Sequence, residues 1–172
     1  MFLKFSNLSR IIEQRCNDNI LKIHSDWEFK EININWRLVR CDTNSILSKH
    51  FDSVYVKSVD YKSIYTIMIY LEDSDGDMKF NHIQVSPKKG RVVIFDQKLL
   101  HEGLSNNQLK YFIRSELMYS RIIPIESIHD RKAMELYNNA IKLVNIDNHK
   151  ARQLEEEAFI MSPLLEDTIL NC

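Results

Sequence analysis

The chain has 172 residues, of which 44% are apolar and 10% aromatic, which is enough for one domain with a buried core. Its formal net charge is −1 and its basic residues are spread along the sequence, which argues against a dedicated nucleic-acid binder. The longest apolar stretch, near residues 64–71, is far too short to span a bilayer.

The N-terminus has no apolar region of the signal-peptide type, so we expect an intracellular, cytoplasmic protein without a membrane partner. The three cysteines Cys16, Cys41 and Cys172 are widely spaced and form no CxxC pair. This pattern predicts reduced thiols rather than a disulfide framework or a zinc site.

The predicted elements change in type twice along the chain. Apolar positions near the helical period predict an amphipathic helix from about residue 7 to 23. Short β-rich runs separated by turn residues then predict strands at about 35–41, 63–71, 79–85, 91–96 and 110–119. This spacing favours an antiparallel sandwich or barrel. Segment 63–71 is almost entirely apolar, which predicts a central strand covered on both faces.

The helical period returns after Pro124. Ser127, three residues before Asp130, predicts a capped helix start. The apolar stripe expected on this helix consists of Ile128, Ala133, Leu136, Tyr137, Ala140, Ile141 and Val144. A second helix is predicted from about residue 147 to 161. We therefore divide the chain into a β domain with an N-terminal supporting helix, residues 1–123, and a C-terminal helical extension packed on it, residues 124–172.

Two His-x-Asp triplets, at residues 24–26 and 50–52, each bring an imidazole close to a carboxylate. Two imidazoles and one carboxylate are the ligand set of a facial iron(II) site, which leaves coordination positions open for a co-substrate and oxygen. A triplet of this kind often arises by chance, so its surroundings must separate a site from a decoy.

The strand predicted at 110–119 carries two cations on a face that also has apolar residues. That face consists of Lys110, Phe112, Arg114, Glu116 and Met118. If it looks into a barrel, the cations need an anion, and a dicarboxylate co-substrate would supply one. Alternatively it is the outer, solvated face, and periodicity alone does not decide between the two.

Several short segments between Trp36 and Tyr119 follow one another in a specific order and spacing. They are WRLVR at 36–40, HFD at 50–52, TIMIYL at 66–71, VSPKKG at 85–90, VVIF at 92–95, HEG at 101–103 and KYFIRSELMY at 110–119. Together they resemble the iron(II)- and 2-oxoglutarate-dependent dioxygenases of the prolyl 4-hydroxylase-like group. The resemblance implies a mainly β fold with flanking helices: a double-stranded β-helix, or jelly roll, with an N-terminal helix and a C-terminal helical extension.

The resemblance also implies roles for single residues. His50, Asp52 and His101 would be the Fe(II) ligands, with 2-oxoglutarate and O2 as co-substrates. Lys110 would pair with the distal carboxylate of 2-oxoglutarate, and the Tyr70 hydroxyl would hydrogen-bond the same carboxylate. A recurrent arginine of the closest relatives is matched by Arg114, which is expected at the co-substrate, near Asp52 or at the prime substrate.

The reaction implied is hydroxylation of a C–H bond, in which 2-oxoglutarate becomes succinate and CO2. A prolyl residue of a protein or peptide is the first substrate expected, and a small molecule is the second. The triplet at 24–26 precedes the first family-like strand and is predicted to end a helix. Arg40 is a weaker candidate for the pocket, with a surface position as the alternative.

The sequence departs from the family mainly in the pocket wall. The Gly-Gly-x-x-x-Phe segment of relatives reads DGDMKF at 75–80, a usual Thr-Asp pair reads Ser115-Glu116, and two aromatic positions hold Cys41 and Leu47. Three alternatives stay open: a cupin, a nucleic-acid demethylase of the same superfamily, and a non-catalytic scaffold that keeps the fold. The demethylase would be expected to have an arginine where Ser120 stands.

Overall fold

A computed structural model describes residues 2–16 and 22–170 of the chain. The strands are β1 (Phe2–Lys4), β2 (Ile23–His24), β3 (Trp27–Ile32), β4 (Asn35–Cys41), β5 (Leu47–His50), β6 (Val56–Ser58), β7 (Tyr61–Tyr70), β8 (Met78–Phe80), β9 (Ile83–Val85), β10 (Val92–Asp96), β11 (His101–Gly103) and β12 (Lys110–Arg121). The helices are α1 (Ser6–Cys16), α2 (Ile128–Leu143), α3 (Asn148–Met161) and α4 (Pro163–Leu170).

Two antiparallel sheets form the body of the protein. In the larger sheet, β12 pairs with β7 along one edge and with β4 and then β3 along the other. On its other edge β7 pairs with β10 and β6, while β1 extends β4 and β2 extends β3. The smaller sheet has the order β5-β11-β8-β9. The predicted double-stranded β-helix with flanking helices is confirmed.

The central strand β7 is covered on both faces, as its apolar sequence predicts. One face contributes to a cluster beneath α1 that includes Ile12, Trp36 and Ile67. The other face contributes Met68 and Tyr70 to a cluster between the sheets, where side chains of both sheets meet: Met68, Tyr70, Met78, Phe80, Phe95 and Phe112. The candidate site residues lie at this inner face.

The C-terminal helices pack on one another and against β6 and the following Val59. Ser127 caps α2, and its hydroxyl and the Asp130 carboxylate form the reciprocal pair of a capping box, which confirms the predicted helix start. The Asp60 carboxylate accepts hydrogen bonds from Arg121 Nε at 3.0 Å and from the backbone N–H groups of Ile125 and Glu126, both at 2.8 Å. This carboxylate therefore fixes the segment that leads from β12 to α2.

The predicted apolar stripe of α2 is only partly correct. Ala133 and Ala140 are buried, but Ile128, Ile141 and Val144 are exposed. Small alanine side chains let α2 and α3 approach closely, so the packed face is turned away from the larger aliphatic residues. Helix α4 was not predicted, and the boundary at residues 123–124 stays a prediction.

Two other predicted boundaries are wrong. The first helix was expected to reach residue 23, but Ile23 begins β2, while residues 17–21 lie outside the described part of the chain, as does Cys172. The single strand expected at 79–85 is a hairpin of β8 and β9, turned at Asn81 with φ +42°. Asparagine tolerates this left-handed conformation better than most residues.

Cys16 and Cys41 are free thiols. Among the helices of residues 2–16 and 22–170, none is long and apolar enough to cross a membrane.

Two glycines with nearly equal backbone angles allow a test of the packing beside β12. Gly76 has φ +77°, and a Cβ there would lie 2.7 Å from Asn106 Cβ and 2.9 Å from the Leu104 carbonyl oxygen. Gly90 has φ +78°, with nothing within 4 Å of such an atom. We expect Gly90→Ala to cost about 1 kcal/mol of unfolding free energy, and Gly76→Ala about 3 kcal/mol, because only the latter adds a collision. Urea unfolding of both variants measures the difference; equal losses would show that the tight packing at Gly76 is absent.

Candidate metal centre

The three predicted metal ligands come together at the inner face of the smaller sheet. β5 and β11 are antiparallel neighbours, and their register puts His101 directly opposite His50, with ring centroids 4.3 Å apart. Asp52 follows β5, and its backbone N–H donates to the Gln97 carbonyl at 3.1 Å. One ligand atom from each of the three residues lies within 4.8 Å of the other two. This arrangement could hold a metal ion.

Both imidazoles are oriented by their own chain. His50 Nδ1 lies 2.8 Å from the Ser48 carbonyl oxygen, and His101 Nδ1 lies 2.8 Å from the Leu99 carbonyl oxygen. A carbonyl oxygen can only accept, so each Nδ1 carries a proton and each neutral ring presents the Nε2 lone pair. This is the tautomer and orientation that a metal ligand needs.

The two histidines differ in exposure. His101 is buried among aromatic rings, with Phe95 and Phe80 centroids at 4.8 and 5.5 Å, whereas His50 is partly exposed. Burial lowers the pKa of His101, although its bond to the Leu99 carbonyl acts in the opposite direction. Its neutral, metal-binding form is therefore favoured at neutral pH.

The carboxylate of Asp52 is almost fully enclosed, with 2% of its side-chain surface exposed. Thr66 on β7 donates to Oδ2 at 2.5 Å, and Arg114 on β12 donates from Nη1 to Oδ1 at 2.7 Å. Oδ1 also faces His50 Nε2 at 3.8 Å. The buried charge is thus compensated by two donors from the larger sheet.

The other triplet is not part of this cluster. Residues 24–26 form the turn between β2 and β3, with Ser25 at φ +53°, so the predicted helix end is wrong. His24 Nδ1 pairs with the Tyr65 hydroxyl at 2.6 Å. Within the described ranges, His50, Asp52 and His101 form the single group of three or more His, Cys, Asp or Glu side chains close enough to share a metal ion.

A cavity of about 210 Å³ opens beside the metal centre, one step further along the smaller sheet. Its wall includes Leu47 and Gly103, which form the register pair next to His50 and His101. Tyr70 and Lys110 line it from the larger sheet. The cavity is mostly apolar with a cation at one end, a form that suits a small organic anion.

The Lys110 ammonium is held in place by a backbone group. The residue is 5% exposed, and its Nζ donates to the Gly76 carbonyl oxygen at 2.7 Å. Burial lowers the pKa of Lys110. One donor position is used by Gly76, and an ammonium has three, so it retains donors for a ligand.

The remaining predicted residues lie in different surroundings. Arg40 also lines the cavity, but its guanidinium is exposed and paired with Asp42 at 2.7 Å. Arg114 does not line the cavity and instead contacts Asp52. The face of β12 that carries Lys110, Phe112 and Arg114 looks inward, so of the two alternatives left open the buried one is correct.

Sequence reasoning missed two residues of the site, Thr66 and Gly76. Thr66 shares the inner face of β7 with Met68 and Tyr70, so the period of two on that strand could have identified it. No local signal connects Gly76 with Lys110, because the contact joins positions 34 residues apart in the sequence.

The chain is similar to known proteins in sequence pattern and in fold. Residues 36–115 match the model of the 2OG-Fe(II) oxygenase superfamily. The chain is similar to a truncated viral collagen prolyl hydroxylase from Paramecium Bursaria Chlorella virus-1, with 17% identity over 70% of this chain and 74% of that one, and a TM-score of 0.50. It is also similar to a Pseudomonas putida prolyl-4-hydroxylase, with 13% identity over 70% of each chain and a TM-score of 0.49. No curated protein matches the sequence.

The donor set fits an iron(II) ion. Two imidazoles and one carboxylate have ligand atoms close enough to share one ion, and other polar atoms of these side chains are hydrogen-bonded to Ser48, Leu99, Thr66 and Arg114. The cavity lined by Lys110 lies next to them.

The lowered pKa of His101 predicts a pH dependence of the metal-free protein. The pKa of His101 is lower in the folded protein than in the unfolded chain, where it is about 6.5. At pH values between the two, the unfolded chain binds more protons at this residue than the folded protein does. The free energy of unfolding therefore falls as the pH falls through this range. We expect a lower urea midpoint at pH 5.5 than at pH 7.5, and a smaller difference for His101→Gln. An unchanged difference in the variant would assign the acid sensitivity to other groups.

Proposed function

We propose that this chain, whose residues 36–115 match the model of the 2OG-Fe(II) oxygenase superfamily, is a 2-oxoglutarate-dependent dioxygenase that hydroxylates a C–H bond at the centre formed by His50, Asp52 and His101. Enzymes of this family use Fe(II), 2-oxoglutarate and O2. The observation that carries the proposal is the convergence of one carboxylate and two imidazoles whose Nδ1 atoms are tied to backbone carbonyls.

In the proposed assignment His50, Asp52 and His101 would hold Fe(II). When bound, the metal with 2-oxoglutarate and O2 would supply an oxidising chemistry in which the 2-oxo acid yields succinate and CO2 while a C–H bond is hydroxylated. The protein orients the two imidazoles through the Ser48 and Leu99 carbonyl oxygens and holds the Asp52 carboxylate through Thr66 and Arg114.

Lys110 and Tyr70 are proposed to bind the distal carboxylate of 2-oxoglutarate. Both line the cavity of about 210 Å³. The same cavity is lined by Leu47 and Gly103, which are paired next to the two histidines in the smaller sheet. Two residues along a strand is about 7 Å, which is the spacing from His101 to Gly103 along β11, and a five-carbon diacid is long enough to cover it. Burial also strengthens the ion pair, because water does not screen it.

For the prime substrate we propose a protein or peptide, with a prolyl residue as the first candidate. Exposed apolar side chains lie beside the partly exposed His50, among them Ile46 at 68% and Phe51 at 58% exposure. Apolar groups next to an open metal site suit a peptide better than a free, highly charged metabolite. A small apolar molecule is the second candidate.

The first experiment is an anaerobic titration of the purified protein with Fe(II) and 2-oxoglutarate, followed by the visible charge-transfer band of the chelate. We expect a band in the wild type and none in His101→Ala, because the variant loses one of three ligands. Circular dichroism of both proteins controls for folding. If a folded wild type gives no band, the catalytic proposal fails and a non-catalytic scaffold becomes the better explanation.

The second prediction concerns the co-substrate anchor. Replacement of Lys110 by Met removes the cation that is proposed to pair with the distal carboxylate of bound 2-oxoglutarate. The 2-oxoglutarate concentration for half-maximal succinate formation should therefore rise on the order of 100-fold. Arg40→Met is the matched control, because Arg40 lines the same cavity but is exposed and already paired with Asp42. Equal effects of the two changes would contradict a specific role for Lys110.

A further inference from the structure

Arg114 donates a hydrogen bond to Oδ1 of the buried Asp52 carboxylate, the oxygen that also faces His50. From this geometry we infer that Arg114 is a positioning residue for the metal ligand Asp52 and has no part in anchoring the co-substrate. The inference rests on the proposed function, since it takes Asp52 as a ligand. It assigns Arg114 to one of the three surroundings that the sequence left open.

The distance along β12 separates the two cations. Arg114 follows Lys110 by four residues on the same face of a strand, which is about 13 Å. The Lys110 side chain lines the cavity, whereas that of Arg114 does not. The Lys110 ammonium donates to the Gly76 carbonyl oxygen and the Arg114 guanidinium donates to Asp52, so the two cations are directed to different partners.

The carboxylate of Asp52 has room for a metal ion beside its two donors. A carboxylate offers about four acceptor positions, of which Thr66 takes one on Oδ2 and Arg114 takes one on Oδ1. Oδ1 is also the atom that faces His50 Nε2 at 3.8 Å. With both oxygens held from the larger sheet, the carboxylate cannot rotate freely, and its free Oδ1 position is directed to the space shared with the histidines.

The position of Arg114 beside Asp52 leaves one of the donor groups of its own guanidinium unpaired within the part of the chain that the structure describes. Its side chain is 17% exposed, and its buried Nε has no hydrogen-bond partner among the described residues. A buried unpaired donor is unfavourable, so a residue chosen for stability alone would be expected to satisfy it. The backbone of Arg114 is fixed by pairing with Arg37 of β4 on one edge and Met68 of β7 on the other, and its guanidinium donates to Asp52.

A second buried carboxylate stands near the guanidinium. Glu116 is on the same face of β12 and accepts a hydrogen bond from Asn33 at 3.0 Å. Burial raises the pKa of Glu116, while the charges of Arg114 and Arg37 lower it. The cation of Arg114 therefore lies between two acidic groups, which compensates part of the repulsion that a bound metal ion would exert on it.

The test is metal binding, measured apart from catalysis. Purified metal-free protein is titrated with Co²⁺ alone, without 2-oxoglutarate, and binding is followed by visible absorption. We expect Arg114→Met to weaken Co²⁺ binding about 10- to 100-fold, the usual effect of removing a group that orients a metal ligand. Lys49→Met is the matched control, because Lys49 is exposed, precedes His50 and gives the same change in charge without touching Asp52.

The outcomes separate this inference from the proposed function. If the wild type binds no Co²⁺, the proposed function fails. If the wild type binds and Arg114→Met binds equally well or more tightly, the metal site stands and the positioning role is wrong, since removal of a nearby cation alone would strengthen binding. Should the methionine variant not fold, Arg114→Lys takes its place, with a smaller loss that still exceeds that of Lys49→Met.

A double-mutant cycle in the metal-free protein tests the contact itself. The urea midpoints of Asp52→Asn, Arg114→Met and the double variant are compared with the wild type. We expect the effect of Arg114→Met to shrink strongly in the Asp52→Asn background, because the partner charge is gone. Additive effects would show that the two side chains do not interact and would overturn the inference.

Discussion

The enclosed carboxylate of Asp52 is the constraint on which the centre of this protein depends. A charge with 2% exposure must be compensated, and its donors come from β7 and β12, while its own backbone follows β5 and is bonded to Gln97. The carboxylate therefore connects the two sheets where the histidines converge. The fold brings the three proposed metal ligands together, and the hydrogen bonds that compensate the charge of Asp52 in turn connect the two sheets.

The strand β12 carries two kinds of chemistry on one face and a hydrophobic core on the other. Ile113, Leu117 and Tyr119 pack in the cluster beneath α1, while Lys110 and Arg114 point between the sheets. Each buried cation has a partner, the Gly76 carbonyl for Lys110 and Asp52 for Arg114. Because the strand is paired with its neighbours, the backbone positions from which both side chains extend are fixed.

Much of this arrangement was predictable from the sequence where the elements are long. The apolar run of β7 and the capped start of α2 have clear local signals, and the order of motifs selected His50 and His101. The strands that carry those histidines, β5 and β11, have four and three residues, too few to show a period. The alternation of Trp27 and Phe29 could have revealed β3. The sequence left three surroundings open for Arg114, the Asp52 region among them, and could not choose between them, because the choice is set by pairing between distant segments.

The register of β12 has a consequence for how the chain tolerates insertions and deletions. Its pairing with β7 is regular from Phe112 to Leu117 and shifts only between Leu117 and Met118. A residue gained or lost before this irregularity would turn Lys110 or Arg114 to the opposite face, since side chains alternate along a strand. Beyond it, an extra residue leaves Lys110 and Arg114 on their own face of the strand, because a bulge can absorb it. Insertions and deletions in β12 are thus compatible with an intact site only toward the C-terminal end of the strand, after Leu117.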